Sequence, residues 1–310
     1  MDKPLLVIIA LFINAVFGGW WQKLLNLLSI SHLLDYPAKL LRDIERSLNK
    51  ANLPLSEIQL RATLLVLTVM SVSYIAGWLF YLIFSSPIFT IIILAIFLPV
   101  GSSWQRVHSI KKNLKIGNLP AAREQLNATV FRYHAVMDAP SLARAAIEYL
   151  AVQFSEKILS PIFWFIVFGV PGLFMSLAVS LLQETLAGTS SQATSFSKPA
   201  SNAQFILNYI PVRLAAFLWM IATLFLPNSN WREAAEKISA EITTAPPNQL
   251  TVLYAAASLN LSLGGKTSGY CTDRIIGTGK PVPSNADITR AQFLFIIACL
   301  LVFISLGLFV

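Results

Sequence analysis

The chain has 310 residues, of which 55% are apolar and 12% are charged, and its formal net charge is +8. Soluble domains carry about 25% charged residues. This deficit, together with a mean hydropathy of +0.65, excludes an ordinary soluble enzyme, a disordered chain and a disulfide-rich secreted module. Cys271 and Cys299 form no close pair and have no neighbouring histidine, so they indicate neither a zinc site nor an oxidising compartment. The composition predicts an all-α, polytopic integral membrane protein.

Apolar segments of about 20 residues, the length that a helix needs to cross a bilayer core, define the predicted spans. The apolar run from Ala62 to Val100 would extend about 58 Å as one helix, so we interpret it as two spans joined at Ser85-Ser86-Pro87. Ile158–Leu182 is predicted to be one span, with Pro171 in its middle. We therefore predict a bundle of about five to six transmembrane helices in a single domain over residues 1–310, with spans near residues 4–21, 62–84, 88–100, 158–182, 205–226 and 291–310.

The positions of Lys and Arg predict the orientation of these spans. Of 23 such residues, 20 lie in three segments, residues 22–61, 101–157 and 228–290. With six crossings these segments fall on one side, which we predict to be the cytoplasmic side of the bacterial inner membrane. The segment Glu184–Gln204 is then predicted to lie outside. We interpret the net charge as a topology signal and expect no nucleic-acid partner, because the charges are spread over three loops without interleaved aromatic residues.

Several loop segments have the pattern of helices. Leucine and isoleucine residues recur at helical spacing within residues 40–48, which predicts an amphipathic helix either on the membrane surface or against the other loops. Asn118 and Asp138 are predicted to begin two further helices, the second of them with Asp138 as its N-cap.

The third loop is predicted to hold a helix from Tyr254 to Leu263 that ends at Gly264-Gly265. An irregular glycine-rich stretch follows over residues 266–283. Long irregular loops in a compact protein are usually functional or mobile, so we expect a ligand site here. The sequence Gly277-Thr278-Gly279-Lys280-Pro281 is similar to the end of a phosphate-binding loop, but Arg274 and Pro281 stand where that loop needs Gly and Ser or Thr.

Arg213 is a charged residue within the fifth apolar segment. A charge in the hydrocarbon core costs about 2.5–3.5 kcal/mol on insertion scales. We therefore expect Arg213 to face a partner in the bundle or an anionic ligand, unless the span begins near Leu214 and the side chain snorkels to the interface.

Three stretches together resemble a known family. They are residues 119–164, reading LPAAREQLNATVFRYHAVMDAPSLARAAIEYLAVQFSEKILSPIFW, residues 207–214, reading LNYIPVRL, and residues 276–281, reading IGTGKP, with DITR at 287–290. In this order and spacing they resemble the CbiB/CobD family, the adenosylcobinamide-phosphate synthases of cobalamin biosynthesis. The resemblance implies that the protein joins aminopropanol, or its phosphate, to the propionate carboxylate of adenosylcobyric acid. It also implies ATP and Mg²⁺ as cofactors, because a free carboxylate must be activated before it forms an amide.

The resemblance also implies a set of site residues. Glu148 and Asn248 match the family pattern as candidate catalytic residues, and no metal ligand is assigned. Candidate substrate-binding residues are Arg132, Arg144, Arg213, Asn208, Gly264, Gly265 and Asp287. The implied partners are the corrinoid and aminopropanol substrates, membrane lipid and other membrane proteins of cobalamin assembly.

The chain also departs from the family pattern. Val152-Gln153 stands where the family usually has Glu-Asn, and Glu156 stands in place of an Asp. Several losses remove polar or acidic groups that could hold a metal. An alternative is therefore a catalytically inactive sensor or scaffold of the same fold, related to the AmpE-like membrane proteins. A transporter is a further alternative, although the two halves of the chain show no inverted repeat.

Overall fold

The computed structural model describes residues 2–27, 30–49, 54–127, 137–187, 193–227, 229, 231–265 and 275–309. In chain order its elements are α1 (Lys3–Leu27), α2 (Ile30–Leu48), α3 (Leu55–Ile83), α4 (Pro87–Phe97), α5 (Val100–Lys115), α6 (Leu119–Asn127), α7 (Ala139–Val152), a π-helical turn (Gln153–Leu159), α8 (Ser160–Phe168), α9 (Val170–Ala187), α10 (Ala193–Thr223), α11 (Trp231–Glu241), α12 (Pro247–Leu259), strands β1 (Leu263–Gly264) and β2 (Ile275–Ile276), and α13 (Asn285–Gly307).

Within the described ranges, five helical segments are long and apolar enough to cross a membrane. They are Leu55–Ile83, Pro87–Lys115, Ala139–Phe168, Ser195–Thr223 and Asn285–Gly307. The predicted fold class, an all-α polytopic membrane protein, is confirmed. The sequence predicted one domain over residues 1–310, and the contacts group the chain into two compact units: residues 1–97 with 160–207 (unit 1), and residues 98–159 with 208–310 (unit 2).

In unit 1, the predicted break between two spans is confirmed at Ser85-Ser86-Pro87. Helix α3 ends at Ile83 and α4 begins at Pro87. Rings of Phe80, Phe84 and Phe89 pack against one another around this turn, with centroids less than 5 Å apart in each successive pair.

The prediction of a single span over Ile158–Leu182 is wrong. The chain turns at Gly169, whose φ is +73°, so α8 ends at Phe168 and α9 begins at Val170. Gly172 then lies directly against the carbonyl of Trp164, where a side chain would collide. Hydropathy does not detect such a turn, because the residues on both sides of it are apolar. Residues 139–157, predicted to lie in a cytoplasmic loop, belong to the apolar helical segment Ala139–Phe168.

The turn at Gly169 makes α9 run antiparallel to α3. Gly77 of α3 packs against Pro171 at the start of α9, while Ile58 at the start of α3 shares a buried cluster with Leu186 at the end of α9. Phe196 at the start of α10 lies in the same cluster. Described residues of the segments 22–61 and 184–204 therefore meet at one end of unit 1, an arrangement that does not fit their predicted placement on opposite sides of the membrane.

Helix α2 packs against this end of unit 1. Leu41 lies in the buried cluster, and Ile44 and Leu48 pack onto it from the same face of α2. Of the two interpretations of this amphipathic helix, the structure favours packing against the protein, although Leu40 remains exposed.

In unit 2, α12 is the central helix. Its Tyr254 is fully buried and donates a hydrogen bond to the carbonyl of Ala151 at 2.7 Å. The ring of Trp219 on α10 packs between Tyr254 and Phe154. The helix predicted over Tyr254–Leu263 is displaced along the chain: α12 begins at Pro247, ends at Leu259 and is capped by Asn260 in the left-handed conformation.

The predicted starts of α6 and α7 are confirmed. Asn118 accepts a hydrogen bond from the amide of Ala121, and Asp138 accepts one from the amide of Ser141 at 3.0 Å. Hydrogen bonds from Ser141 hold the pKa of Asp138 below its ordinary value of 3.8, as expected of a carboxylate at a helix N-terminus.

Candidate functional site

A short backbone ribbon follows α12 in unit 2. Strands β1 and β2 pair antiparallel, with Gly264 opposite Ile275. Further along the ribbon, the amide of Lys280 donates to the carbonyl of Asn260, and the amide of Ser262 donates to the carbonyl of Lys280, both at 3.0 Å. The ribbon thus places Lys280 beside the end of α12 and just before the start of α13.

Two glycines permit this close pairing. Gly277 has φ +92° and lies against the carbonyl of Leu261. Gly279 lies against the carbonyl of Asn260, where a Cβ atom would overlap the backbone. Because only glycine lacks a Cβ, both positions depend on it.

A polar cleft of about 260 Å³ opens where the ribbon meets α13. Its lining residues are Ser229, Glu233, Ala257, Ser258, Leu259, Asn260, Leu261, Lys280, Asp287 and Arg290. Two cationic groups, one on the ribbon and one on α13, therefore border the same small space.

Asp287 is the carboxylate between these two cations. Its Oδ2 atom accepts hydrogen bonds from the amide and hydroxyl of Ser284, at 2.8 and 2.7 Å, and so caps α13. Lys280 Nζ lies 3.2 Å from the same oxygen, and Arg290 Nη1 lies 3.8 Å from Oδ1. The side chain of Lys280 is 52% exposed whereas that of Asp287 is 9% exposed, so the cations, more than the carboxylate, face an incoming ligand.

Glu233, the second carboxylate of the cleft, pairs with Lys237 at 2.6 Å. Lys237 also donates to the hydroxyl of Thr278 at 3.2 Å. This contact ties α11 to the ribbon.

Arg144 and Glu148 of α7 hold the two sides of the ribbon. Arg144 Nη2 donates to the carbonyl of Pro281 at 2.8 Å. Glu148 is fully buried, and its Oε1 accepts a hydrogen bond from the amide of Gly264 at 2.7 Å. Gly264 and Gly265 both have positive φ, +80° and +91°. Arg144 Nε is buried and has no hydrogen-bond partner within the described ranges.

Arg213 lies at the opposite end of α12. Its guanidinium donates to the carbonyls of Tyr209, Thr243 and Ala245 at 2.8, 3.0 and 3.3 Å, and it stacks 3.6 Å from the centre of the Tyr209 ring. Of the roles expected for Arg213, the structure shows contact with a partner inside the bundle, because its guanidinium binds the backbone carbonyls of the segment that leads into α12.

The structure thus brings five of the predicted site residues together around the ribbon, and other predicted site residues lie away from it. Arg144, Glu148, Gly264, Gly265 and Asp287 surround the ribbon. Asn248, whose side chain accepts a hydrogen bond from the amide of Gln249, is one length of α12 away, about 20 Å for thirteen residues. Asn208 is buried on α10, and Arg132 lies outside the described residues.

Sequence reasoning did not select Lys280, Arg290, Glu233 and Asn260 as site residues. One signal was available, since Ser284 and Asp287 have the spacing of a capping box and locate the start of α13. The approach of Lys280 to this helix start depends on the ribbon, which local patterns do not predict.

The departures Val152 and Gln153 lie where α7 passes into the π-helical turn. Gln153 accepts a hydrogen bond from the hydroxyl of Ser103 at 3.3 Å. Neither Val152 nor Gln153 is among the residues that line the cleft.

The side chains of the cleft can be compared with those that bind Mg²⁺ and a nucleotide phosphate in proteins. Over the described part of the chain, no group of three or more His, Cys, Asp or Glu residues could hold a metal ion. Mg²⁺ is commonly bound by only one or two carboxylates together with substrate phosphates. Asp287 and Glu233 could serve as such carboxylates, and Lys280 and Arg290 suit phosphate oxygens. The donor set therefore fits Mg²⁺ only when the ion arrives with a phosphate.

Comparisons with known proteins agree on one family. A family profile described as CobD/Cbib protein matches residues 7–295. The chain is 26% identical over 315 residues to a protein of Brucella suis biovar 1 named Cobalamin biosynthesis protein CobD, covering 95% of this chain and 93% of the relative. It is 27% identical over 305 residues to a protein of the same name from Chromobacterium violaceum, covering 94% and 91%. No solved structure matches.

Proposed function

This chain belongs to the CobD/CbiB family, and we propose that it acts in cobalamin biosynthesis as an amide-forming ligase. The proposed reaction joins the amine of aminopropanol, or of its phosphate, to the propionate carboxylate of adenosylcobyric acid, with consumption of ATP. A C–N bond forms, the activated carboxyl oxygen leaves with phosphate, and the amine loses a proton.

The observation that supports this proposal is the cleft bordered by Lys280 and Arg290. Negative charge is present on the carboxylate and on every phosphate involved, and preoriented cations stabilise such charge most effectively at a partly buried site. ATP supplies the energy that activates the carboxylate, and Mg²⁺ reduces the charge on its phosphates. Lys280 and Arg290 would bind the phosphate oxygens, and Arg144 Nε, which has no hydrogen-bond partner among the described residues, is a further donor beside the ribbon.

Glu148 would act as a positioning residue in this site. Its carboxylate is fully buried and holds the amide of Gly264, so it fixes the ribbon that carries Lys280. A catalytic role for Asn248 remains a prediction, because α12 separates it from the cleft.

We further propose that the protein lies in the bacterial inner membrane with the cleft on the cytoplasmic side, where ATP is available. Between the candidate spans, residues 116–138 hold two Lys or Arg residues and residues 224–284 hold five, which supports this orientation. Membrane lipid and other membrane proteins of cobalamin assembly are the proposed partners.

The test is turnover by the purified full-length protein in nanodiscs. Adenosylcobyric acid, aminopropanol or aminopropanol phosphate, ATP and Mg²⁺ are supplied, and mass spectrometry detects cobinamide or its phosphate. Lys280→Gln and Arg290→Gln should each lower kcat/KM by about 10- to 100-fold, the loss of one charge-assisted hydrogen bond. Lys112→Gln, an exposed cation of α5 outside the cleft, is the matched control and should match the wild type.

Absence of product from the wild type, while the Chromobacterium violaceum relative turns over in the same assay, would contradict the proposal. That result would favour the alternative of an inactive sensor or scaffold. Equal activities of all three variants would show that the cleft does not bind the reacting groups.

A further inference from the structure

A second concave site lies in unit 1, between α3 and the first part of α10. It is a groove of about 490 Å³ whose lining is mainly apolar. Its residues are Gln59, Thr63, Val66, Leu67 and Met70 on α3, and Lys198, Pro199, Asn202, Ala203, Ile206 and Leu207 on α10.

The groove changes in polarity along its length. On α3 the polar Gln59 and Thr63 come first and Met70 comes last, and on α10 Lys198 comes first and Leu207 comes last. The two helices line the groove side by side and run in the same direction, because Ile58 and Phe196 near their starts share one buried cluster, and Met70 and Ala203 further along also pack against it. Gln59, Thr63 and Lys198 therefore lie at one end of the groove, Asn202 lies midway along the α10 side, and Met70, Ile206 and Leu207 lie at the other end.

The length of the groove corresponds to half a membrane. From Gln59 to Met70 α3 rises about 16 Å, and one leaflet of a bilayer core about 30 Å thick measures about 15 Å. Leu55–Ile83 and Ser195–Thr223 are both apolar enough to cross a membrane. An acyl chain that begins at the polar end would therefore end near Met70 and Leu207.

The polar end of the groove carries a single positive charge. Lys198 is exposed and has no ion pair within the described ranges, whereas the nearby Arg61 of α3 is paired with Glu57 at 3.6 Å. Lysines at the ends of membrane helices extend toward the interface, where lipid phosphates are the complementary groups.

We propose that this groove binds one phospholipid, with its phosphate at Lys198 and one acyl chain along Val66, Met70 and Leu207. The site is separate from the cleft of unit 2 and does not depend on the proposed ligase activity. Apolar lining, a polar end with one cation, and the length of one leaflet together match an amphiphile of this class.

The experiment measures lipid retention by native mass spectrometry of the delipidated full-length protein. Phosphatidylglycerol, phosphatidylethanolamine and diacylglycerol are added separately. The wild type should retain one molecule of either phospholipid, and Lys198→Gln should lower that retention about fivefold while diacylglycerol retention stays unchanged. Lys39→Gln, an exposed cation of α2 outside the groove, is the matched control and should behave as the wild type.

A second variant tests the apolar part of the groove. Ala203→Phe places a ring in the groove and should reduce the retention of all three lipids, with thermal unfolding measured to show that the protein is folded. Equal retention by the wild type and Lys198→Gln would overturn the proposal, as would undiminished retention by a folded Ala203→Phe variant. Displacement of lipid by adenosylcobyric acid would assign the groove to the corrinoid and would also overturn it.

Discussion

The carboxylate of Glu148 accepts a hydrogen bond from the backbone amide of Gly264 at 2.7 Å, across 116 positions of the sequence. Arg144, one helical turn earlier, donates to the carbonyl of Pro281. One helix, α7, therefore holds both sides of the ribbon, and the ribbon in turn sets the position of Lys280 in the cleft.

The stabilities of two Glu148 variants should show whether the side chain stabilises the ribbon as a hydrogen-bond acceptor or through its charge. Glu148→Ala leaves the Gly264 amide without its partner in a buried site, which should lower the free energy of unfolding by about 1–3 kcal/mol. Glu148→Gln keeps a carbonyl oxygen at that place and should retain most of the stability. Thermal unfolding of the detergent-solubilised protein measures both, and equal losses in the two variants would contradict the role of the hydrogen bond.

Gly279 should tolerate no side chain. Gly279→Ala brings a Cβ into the backbone of Asn260, so the ribbon must shift and Lys280 must leave its position in the cleft. We expect the free energy of unfolding to fall by about 1–3 kcal/mol. We also expect ligase activity to fall in the protein that remains folded, because Lys280 is displaced. Gly307→Ala is the control, because that position has open space around it. A Gly279→Ala variant with wild-type unfolding temperature would show that the ribbon can relax without cost.

Arg213→Lys should show that guanidinium geometry, and not charge alone, holds the start of α12. An ammonium group cannot reach the carbonyls of Tyr209, Thr243 and Ala245 together. We expect a loss of about 1.5–3 kcal/mol in unfolding free energy, the loss of one charge-assisted hydrogen bond. Arg232→Lys replaces a guanidinium that lies over the Trp231 ring at 5.6 Å, and it should change stability by less than about 0.5 kcal/mol.

The elements that local patterns specify were predictable from the sequence. Asp138 is followed by Pro140 and an apolar stripe, which together locate the start of α7, and Ser85-Ser86-Pro87 marks the turn between α3 and α4. The turn at Gly169 was missed because apolar residues on both sides of it make hydropathy read one continuous run, and the positive φ belongs to the glycine two residues before Pro171.

The candidate site was predictable only in part, because tertiary contacts assemble it. Arg144 and Glu148 stood out by their spacing on α7, but their described partners, Pro281 and Gly264, lie more than a hundred residues away. Arg213 stood out as a charge in an apolar segment, and the structure shows that its partners are backbone carbonyls. No side-chain pattern in the sequence identifies such partners.

The N-cap of α7 should make stability depend on pH. The pKa of Asp138 is lowered by its hydrogen bonds from Ser141, so its stabilising effect is present above the unfolded pKa and is lost as the pH falls through the folded value. Asp138→Ala should cost about 1 kcal/mol at neutral pH. The difference between wild type and variant should shrink toward zero below pH 3.8, and thermal unfolding across that range measures it. A difference that is independent of pH would contradict the role of the carboxylate.

The turn at Gly169 gives a direct prediction about membrane topology. Ser56 at the start of α3 and Ser201 near the start of α10 lie at the end of unit 1 where Ile58 meets Phe196, and Ser85 lies at the other end of α3. With both native cysteines replaced by serine, Ser56→Cys and Ser201→Cys should react with a membrane-impermeant maleimide from the same side of intact cells or inverted vesicles. Ser85→Cys should react from the opposite side. If Ser56→Cys and Ser201→Cys reacted from opposite sides, α9 would not be a separate crossing, and the six-span arrangement with 158–182 as one helix would be restored.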